Sequence, residues 1–192
     1  TAANASKRSK YPIFSSTRFG NVLGSNGSVI PIFKKQILAG GPLTLTDAGM
    51  SRFVMTLEDA ARLVMESVFI ARGGEVFVTK MPIVNIKDLA EAMLDIFVER
   101  GDVAPGIVET KIIGAKPGEK LYEELINEEE IRRTFEIENY FCVLPAFKSV
   151  YNNIEYVLGE TKKTVDRIYR SDLEPSMSLQ ELKEYLMDNN LI

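Results

Sequence analysis

The chain has 192 residues, 45% of them hydrophobic and 26% charged, with a formal net charge of −4; this is an ordinary globular balance, enough for one domain or one lobe of a larger fold. A single cysteine and no histidine exclude a disulfide framework, a cysteine-based metal cluster, a zinc site and a histidine-based triad. The acidic balance argues against broad nucleic-acid binding, and the apolar stretches fall well short of the roughly 18 residues that cross a bilayer, which predicts a soluble, cytoplasmic chain.

In chain order, residues 13–19 (IFSSTRF) fit a buried or half-buried strand, and residues 20–28 form a glycine-rich bend that leads into a helix from about Val29. Val29, Ile30, Phe33, Ile37 and Leu38 keep helical spacing; Pro31 is tolerated in a first turn, and Gly40-Gly41 can end the helix in a left-handed backbone. LTLT at 43–46 alternates like a short strand. Thr56-Leu57-Glu58-Asp59 has the pattern of a capping box, opening a helix to about Ala71. EVFVTK reads as the next strand, and Asn85 as the start of a helix that ends near Gly101. A further strand starts at Glu109, and Lys116-Pro117-Gly118 then leads into a predicted helix, KLYEELI. Residues 127–133 are read as its charged continuation, YFCVL as a short strand and LQELKEYLMDN as a last amphipathic helix. Alternating strands and helices with short links predict an α/β architecture with part of the sheet parallel.

The bend admits two readings. A strand, glycines at 20, 24 and 27, a helix, a second strand and Asp47 about 20 residues on have the outline of a dinucleotide-binding unit. The spacing, G-x-x-x-G-x-x-G, departs from the patterns of that unit, and Pro31 and Phe33 crowd a helix face that normally carries small residues.

The second reading is by resemblance. TRFGNVLGSNGSVIPIFKKQI, then GGPLTLTDAGMSRFVMTLEDAARLV, then KPGEKLYEELI resemble the C-terminal half of polysaccharide-biosynthesis nucleotide-sugar dehydratases and epimerases. These include UDP-N-acetylglucosamine 4,6-dehydratases of the extended short-chain dehydrogenase/reductase superfamily. The resemblance implies the last strands of a Rossmann-type parallel sheet plus the small substrate-binding subdomain, so that residues 1–192 form a single lobe. It also implies that NAD or NADP is bound mainly by an N-terminal half upstream. None of the seven tyrosines has a lysine four residues on, so the family's catalytic Tyr-x-x-x-Lys pair is not in this chain and no catalytic residue is assigned.

A nucleotide sugar needs cations, directional donors and an apolar slot. By resemblance, Asn21 donates to the diphosphate or the sugar, against the alternative that it only stabilises the bend. Ser28 and Val29 present helix-start N–H groups, Ser28 being otherwise a plain cap. Lys34 approaches the diphosphate while Lys35 is solvated, or both are surface charges. Thr44 lies beside the base, or is a half-exposed strand residue. Arg52 of MSRF grips phosphate with its fork, or forms a structural ion pair with Asp47 or Glu58. Lys116 stands where the family usually has an arginine, keeping the charge and losing the fork; Glu119 accepts from ribose hydroxyls, or favours a helix start. Arg18, Phe19 and Val22 flank the bend where family members meet the nicotinamide end of the cofactor, and the competing reading is core. Cys142 is expected to be an inert buried thiol. The expected partner is a UDP-sugar, with no nucleic acid and no metal, and a homo-oligomer is expected because sheet edges and apolar faces left uncovered without the upstream half favour association. Competing readings are a UDP-sugar 4-epimerase, a non-catalytic nucleotide-sugar or partner-binding module, and a small stand-alone NAD-binding protein.

Overall fold

The computed structural model describes residues 13–25, 27–115, 117–146, 154–156 and 163–192. Its contacts divide the chain into two compact units, the first drawn from Thr1–Phe19, Glu58–Lys80 and Glu124–Tyr169, the second from Gly20–Leu57, Met81–Glu123 and Arg170–Ile192.

The first unit is built on β1 (Ser16–Arg18), β5 (Val76–Thr79), β9 (Thr134–Ile137), β10 (Tyr140–Val143) and β11 (Lys163–Thr164). Their order across the sheet is β1-β5-β10-β9-β11, with β1 parallel to β5 and the other pairs antiparallel. Helix α2 (Leu57–Ile70) buries Ala60, Leu63 and Ser67. Its Leu63 joins a core of Ala71, Phe77, Tyr140, Cys142 and Leu144. The opposite face of α2 is apolar too: Val64, Met65, Val68 and Phe69 are exposed, Phe69 by 80%. Short β8 (Glu124–Ile126) and α4 (Glu128–Ile131) complete the unit, and Asn127 and Glu130 close a reciprocal capping box around α4.

The second unit carries β2 (Asn21–Val22), α1 (Val29–Leu38), β3 (Leu43–Leu45), β4 (Ser51–Met55), β6 (Ile83–Asn85), α3 (Ile86–Glu99), β7 (Thr110–Ile112) and α5 (Leu179–Asp188). Strands β2 and β4 run parallel and β4 and β6 antiparallel, while β3 and β7 form a separate parallel pair. The helical periodicity read from the sequence is the packing periodicity: Ile30, Phe33 and Ile37 of α1 are buried with Leu89, Met93, Ile96 and Phe97 of α3 and Leu182 and Leu186 of α5. Asn85 caps α3, its side chain accepting from the Lys87 N–H, and Gly40 and Gly41 follow α1 with φ of +81° and +86°.

Two local expectations are corrected. Residues 20–28 are not an uninterrupted bend, because Asn21 and Val22 pair with Val54 and Met55 and extend the bend as a strand. Residues 120–126 form no helix. Their carbonyls are captured from outside: Leu121 O accepts from Ser51 N at 2.9 Å, and Lys120 O from Arg52 Nη2 at 2.6 Å. Glu123 O accepts from Ser171 N at 2.9 Å. A carbonyl held by a tertiary donor does not need the i→i+4 bond of a helix, and β8 follows instead.

Candidate functional site

Eight of the positions singled out in the sequence, Asn21, Val22, Ser28, Val29, Lys34, Thr44, Arg52 and Glu119, fall within the second unit. They gather on the start of α1, on strands β2, β3 and β4, and on the loop before residue 124. Lys116 lies outside the described residues.

The approach to the bend is set by Gly20. A Cβ built there would lie 2.6 Å from Phe53 O and 2.8 Å from Met81 Sδ, so only glycine lets the chain run this close to β4. Asn21 then points an exposed side chain outward, and its carboxamide makes no hydrogen bond among the described residues. The bend closes by local bonds, Ser25 Oγ donating to Val22 O at 2.8 Å and the Ser28 N–H to Ser25 O at 3.0 Å. That second bond removes the Ser28 N–H from the set of free donors. Helix α1 opens at Val29 with no side-chain cap and no acid in its first turn, and the Ser28 hydroxyl is enclosed without a hydrogen-bond partner. First-turn N–H groups have no intrahelical acceptor, so the end of α1 keeps its partial positive charge. Val29 itself is half-buried, packed against the core; Lys34 and Lys35 are exposed on the next turn.

Thr44 is held by the helix. Gln36 Nε2 donates to Thr44 Oγ1 at 2.7 Å and Gln36 Oε1 accepts the Thr44 N–H at 3.0 Å, so the outward N–H of β3 is already occupied. Two positions on, Thr46 Oγ1 donates to Glu119 Oε1 at 3.4 Å, bringing the exposed Glu119 to the end of β3. Gly118, with φ of +85°, turns the chain just before it.

Arg52 pairs with neither Asp47 nor Glu58. Its Nη1 donates to Ser51 O at 2.7 Å and Leu121 O at 3.2 Å, its Nη2 to Lys120 O at 2.6 Å, and its Nε lies 3.7 Å from Glu123 Oε1. With 12% of the side chain exposed, the fork grips the main chain that follows Glu119. Burial pushes the Glu123 carboxyl above the usual carboxylate range, against the opposing charges of Arg52 and Lys120.

The three residues assigned to the cofactor are placed differently. Val22 is half-buried on β2, and Phe19 is 40% exposed. Arg18 of the first unit sets its fork on Glu130, Nη1 to Oε2 and Nη2 to Oε1 both at 2.6 Å, and Nη1 also donates to Leu125 O at 2.7 Å. The hydrogen bonds it donates to Glu130 raise the Arg18 guanidinium further. Burial would raise the Glu130 carboxyl, but Arg18, the Asn127 N–H and Arg133 hold it below the usual range. Arg18 is thus engaged by Glu130 and Leu125 of its own unit, whereas Phe19 presents an exposed ring. Cys142 is buried and its thiol is pushed up to about 12 by burial and by Glu75, as an inert thiol would be.

Sequence reasoning missed the buried serines 51 and 171. Their hydroxyls lie 2.9 Å apart, and Ser171 Oγ also accepts from the Glu123 N–H at 2.9 Å. They are 120 positions apart in sequence, and no periodicity or local motif signals a pairing at that separation. Gln36 was missed as well, a polar residue on a helix whose role appears only when β3 is set against it.

Residues 1–145 match the family described as polysaccharide biosynthesis protein. An uncharacterized membrane protein, MJ1061, of Methanocaldococcus jannaschii is 49% identical over 75% of this chain and 43% of its own length. A UDP-N-acetylglucosamine 4,6-dehydratase (inverting) of Campylobacter jejuni is 38% identical over 94% of this chain and 52% of its own. A UDP-glucose 4-epimerase of Rickettsia massiliae is 35% identical over 89% and 48%. The X-ray structure of Pen from Bacillus thuringiensis superposes with a TM-score of 0.83 at 38% identity, covering 98% of this chain and 53% of that one. The chain thus spans about half the length of the relatives it matches. Among the described residues no helix is long and apolar enough to cross a membrane.

Proposed function

The chain belongs to the polysaccharide biosynthesis protein family, and from that premise we propose that it binds the nucleotide sugar of a UDP-N-acetylhexosamine 4,6-dehydratase. The observation that carries the reading is the uncapped start of α1, free of acids, in a bend that also exposes the unbonded Asn21 side chain. An anionic diphosphate suits that end, where helix N–H groups and the helix dipole favour negative charge. Lys34 and Lys116 add cationic charge, and Glu119, on the loop held by Arg52, accepts from ribose hydroxyls. Thr44 lies along the base. Because its N–H is taken by Gln36, the strand meets the base through other main-chain groups. Arg52 serves by fixing the main chain after Glu119 and by its charge beside the loop.

In this reading the complete protein belongs to the extended short-chain dehydrogenase/reductases and has an upstream half that holds NAD or NADP and supplies the catalytic Tyr-x-x-x-Lys. That cofactor, when bound, would supply the hydride chemistry that links oxidation at C4 of the sugar, loss of water across C5 and C6, and reduction at C6. This chain's residues bind and orient the nucleotide sugar, and Phe19 and Val22 line the nicotinamide side. Residues 1–192 act as one substrate-binding lobe and by themselves turn nothing over. The exposed apolar face of α2 supports self-association of the protein.

A second reading, a 4-epimerase that shares this binding half, is favoured by the similarity to the Rickettsia enzyme. Titrating UDP-N-acetylglucosamine, UDP-glucose and NAD separately into the chain and into Arg52→Ala tests both. The dehydratase reading expects UDP-N-acetylglucosamine to bind most tightly and Arg52→Ala to weaken it about tenfold, a loss of about 1.4 kcal/mol. Preference for UDP-glucose turns the assignment to the epimerase, and NAD binding without any UDP-sugar binding overturns both.

A further inference from the structure

The loop proposed to carry substrate contacts has an exposed tip and a stitched base. At the tip, Gly118 and Glu119 are exposed. At the base, four successive residues are held from two sides. Strand β4 holds Lys120 and Leu121 through Arg52 and the Ser51 N–H. The segment at residues 170–172 holds the next two. Arg170 lies over the Tyr122 ring, 4.1 Å from its centroid, and is itself braced by Asp172 at 2.6 and 2.9 Å. Ser171 takes both main-chain groups of Glu123, donating its N–H to Glu123 O at 2.9 Å and accepting the Glu123 N–H on Oγ at 2.9 Å.

The Ser171 hydroxyl closes the arrangement. It is enclosed, Ser171 being 2% and Ser51 6% exposed, and its Oγ lies 2.9 Å from Ser51 Oγ and 3.2 Å from Ser51 O. One assignment satisfies every group: Ser171 O–H donates to Ser51 O, while its oxygen accepts from Ser51 O–H and from the Glu123 N–H. A three-way junction of this kind ties β4, the loop base and the segment at 170–172 through one buried oxygen. Alanine at 171 would leave the Glu123 N–H and the Ser51 hydroxyl without it, which for enclosed polar groups is a substantial loss.

We propose that residues 170–172 are a latch that fixes the nucleotide-sugar loop, and that Ser171 and Arg170 are positioning residues for substrate binding although neither belongs to the bend or to the loop motif. The inference rests on the reading of the loop given above. The clamped base fixes the main chain directly after the exposed Glu119 and so limits the orientations open to that carboxylate.

The test uses this chain with UDP-N-acetylglucosamine as titrant, together with amide hydrogen exchange across residues 120–124. Ser171→Ala is expected to weaken binding about tenfold and to speed exchange at Glu123, whose N–H the hydroxyl accepts, with amides of α1 and α3 unchanged. Arg170→Ala, which removes a partly exposed side chain and leaves the buried serines in place, is expected to weaken binding about threefold, so the proposal is decided even if Ser171→Ala fails to fold. Faster exchange in the variants with unchanged affinity would show that the segment holds the loop but does not position it for substrate, and the inference falls alone. A wild-type chain that does not bind the UDP-sugar removes the reading of the site, and the inference with it.

Discussion

Replacing Glu130 by glutamine tests whether Arg18 is a structural cation. Glu130 is 5% exposed and receives both arms of the Arg18 fork at 2.6 Å, a further bond from the Asn127 N–H at 3.3 Å and one from Arg133 at 3.4 Å. Glutamine keeps the volume and removes the charge, leaving the guanidinium with Leu125 O and one amide oxygen as acceptors while an NH2 donor faces its other arm. Breaking a fully buried pair costs about 3–5 kcal/mol and an exposed one about 0–1 kcal/mol. The Arg18 side chain is 34% exposed, so water can hydrate part of it, and the expected loss at neutral pH is about 2 kcal/mol. The sign with pH follows from the direction of the shift. The Glu130 carboxyl titrates below its unfolded value of 4.5, so its contribution is complete above that value and is lost as pH falls through the lower, folded one. Urea unfolding followed by circular dichroism should therefore show wild type and Glu130→Gln well separated at neutral pH and converging as pH falls below the unfolded value. A separation below about 0.5 kcal/mol at neutral pH, or one that does not change on acidification, would refute the assignment and return Arg18 to the cofactor.

Gly20→Ala should cost about 3 kcal/mol in the same assay, because the new methyl meets the Phe53 carbonyl, which is main chain and cannot swing aside. Gly27→Ala should cost only about 1 kcal/mol, since Gly27 has φ of +80° but nothing within 4 Å of the added carbon; equal losses at the two sites would contradict the close approach of the bend to β4. The Cys142 thiol, pushed up to about 12, should stay protonated and unlabelled by a thiol-disulfide reagent at neutral pH, reacting only as urea unfolds the protein. Rapid stoichiometric labelling of the native chain would place it outside the core.

The helices were legible because their signals are local. Ile30, Phe33 and Ile37 of α1 repeat at the helical period, Asn85 caps α3 from the adjoining residue, and Gly40-Gly41 ends α1 by a backbone preference that glycine carries anywhere. The bend as a helix start, Cys142 as a buried thiol and the family itself were likewise readable in the residues. The strand at 51–55 and the absence of a helix at 120–126 were not. KLYEELI has helical spacing, and what overrides it is a set of donors from Ser51, Arg52 and Ser171 that reach its carbonyls only after the chain has folded.

The same division runs through the site. The sequence alone determined which residues are of a kind to hold a diphosphate, because charge, hydrogen-bonding capacity and glycine's freedom belong to each residue wherever it stands. Tertiary structure decided which of those groups are still available: it set the Arg18 fork on Glu130, turned Arg52 to the main chain of Lys120 and Leu121, occupied the Thr44 N–H with Gln36, and left the Asn21 side chain exposed. Availability depends on partners distant in sequence, as the two serines 120 positions apart demonstrate, and no local pattern encodes which side chain a polar group will meet once the core has closed around it.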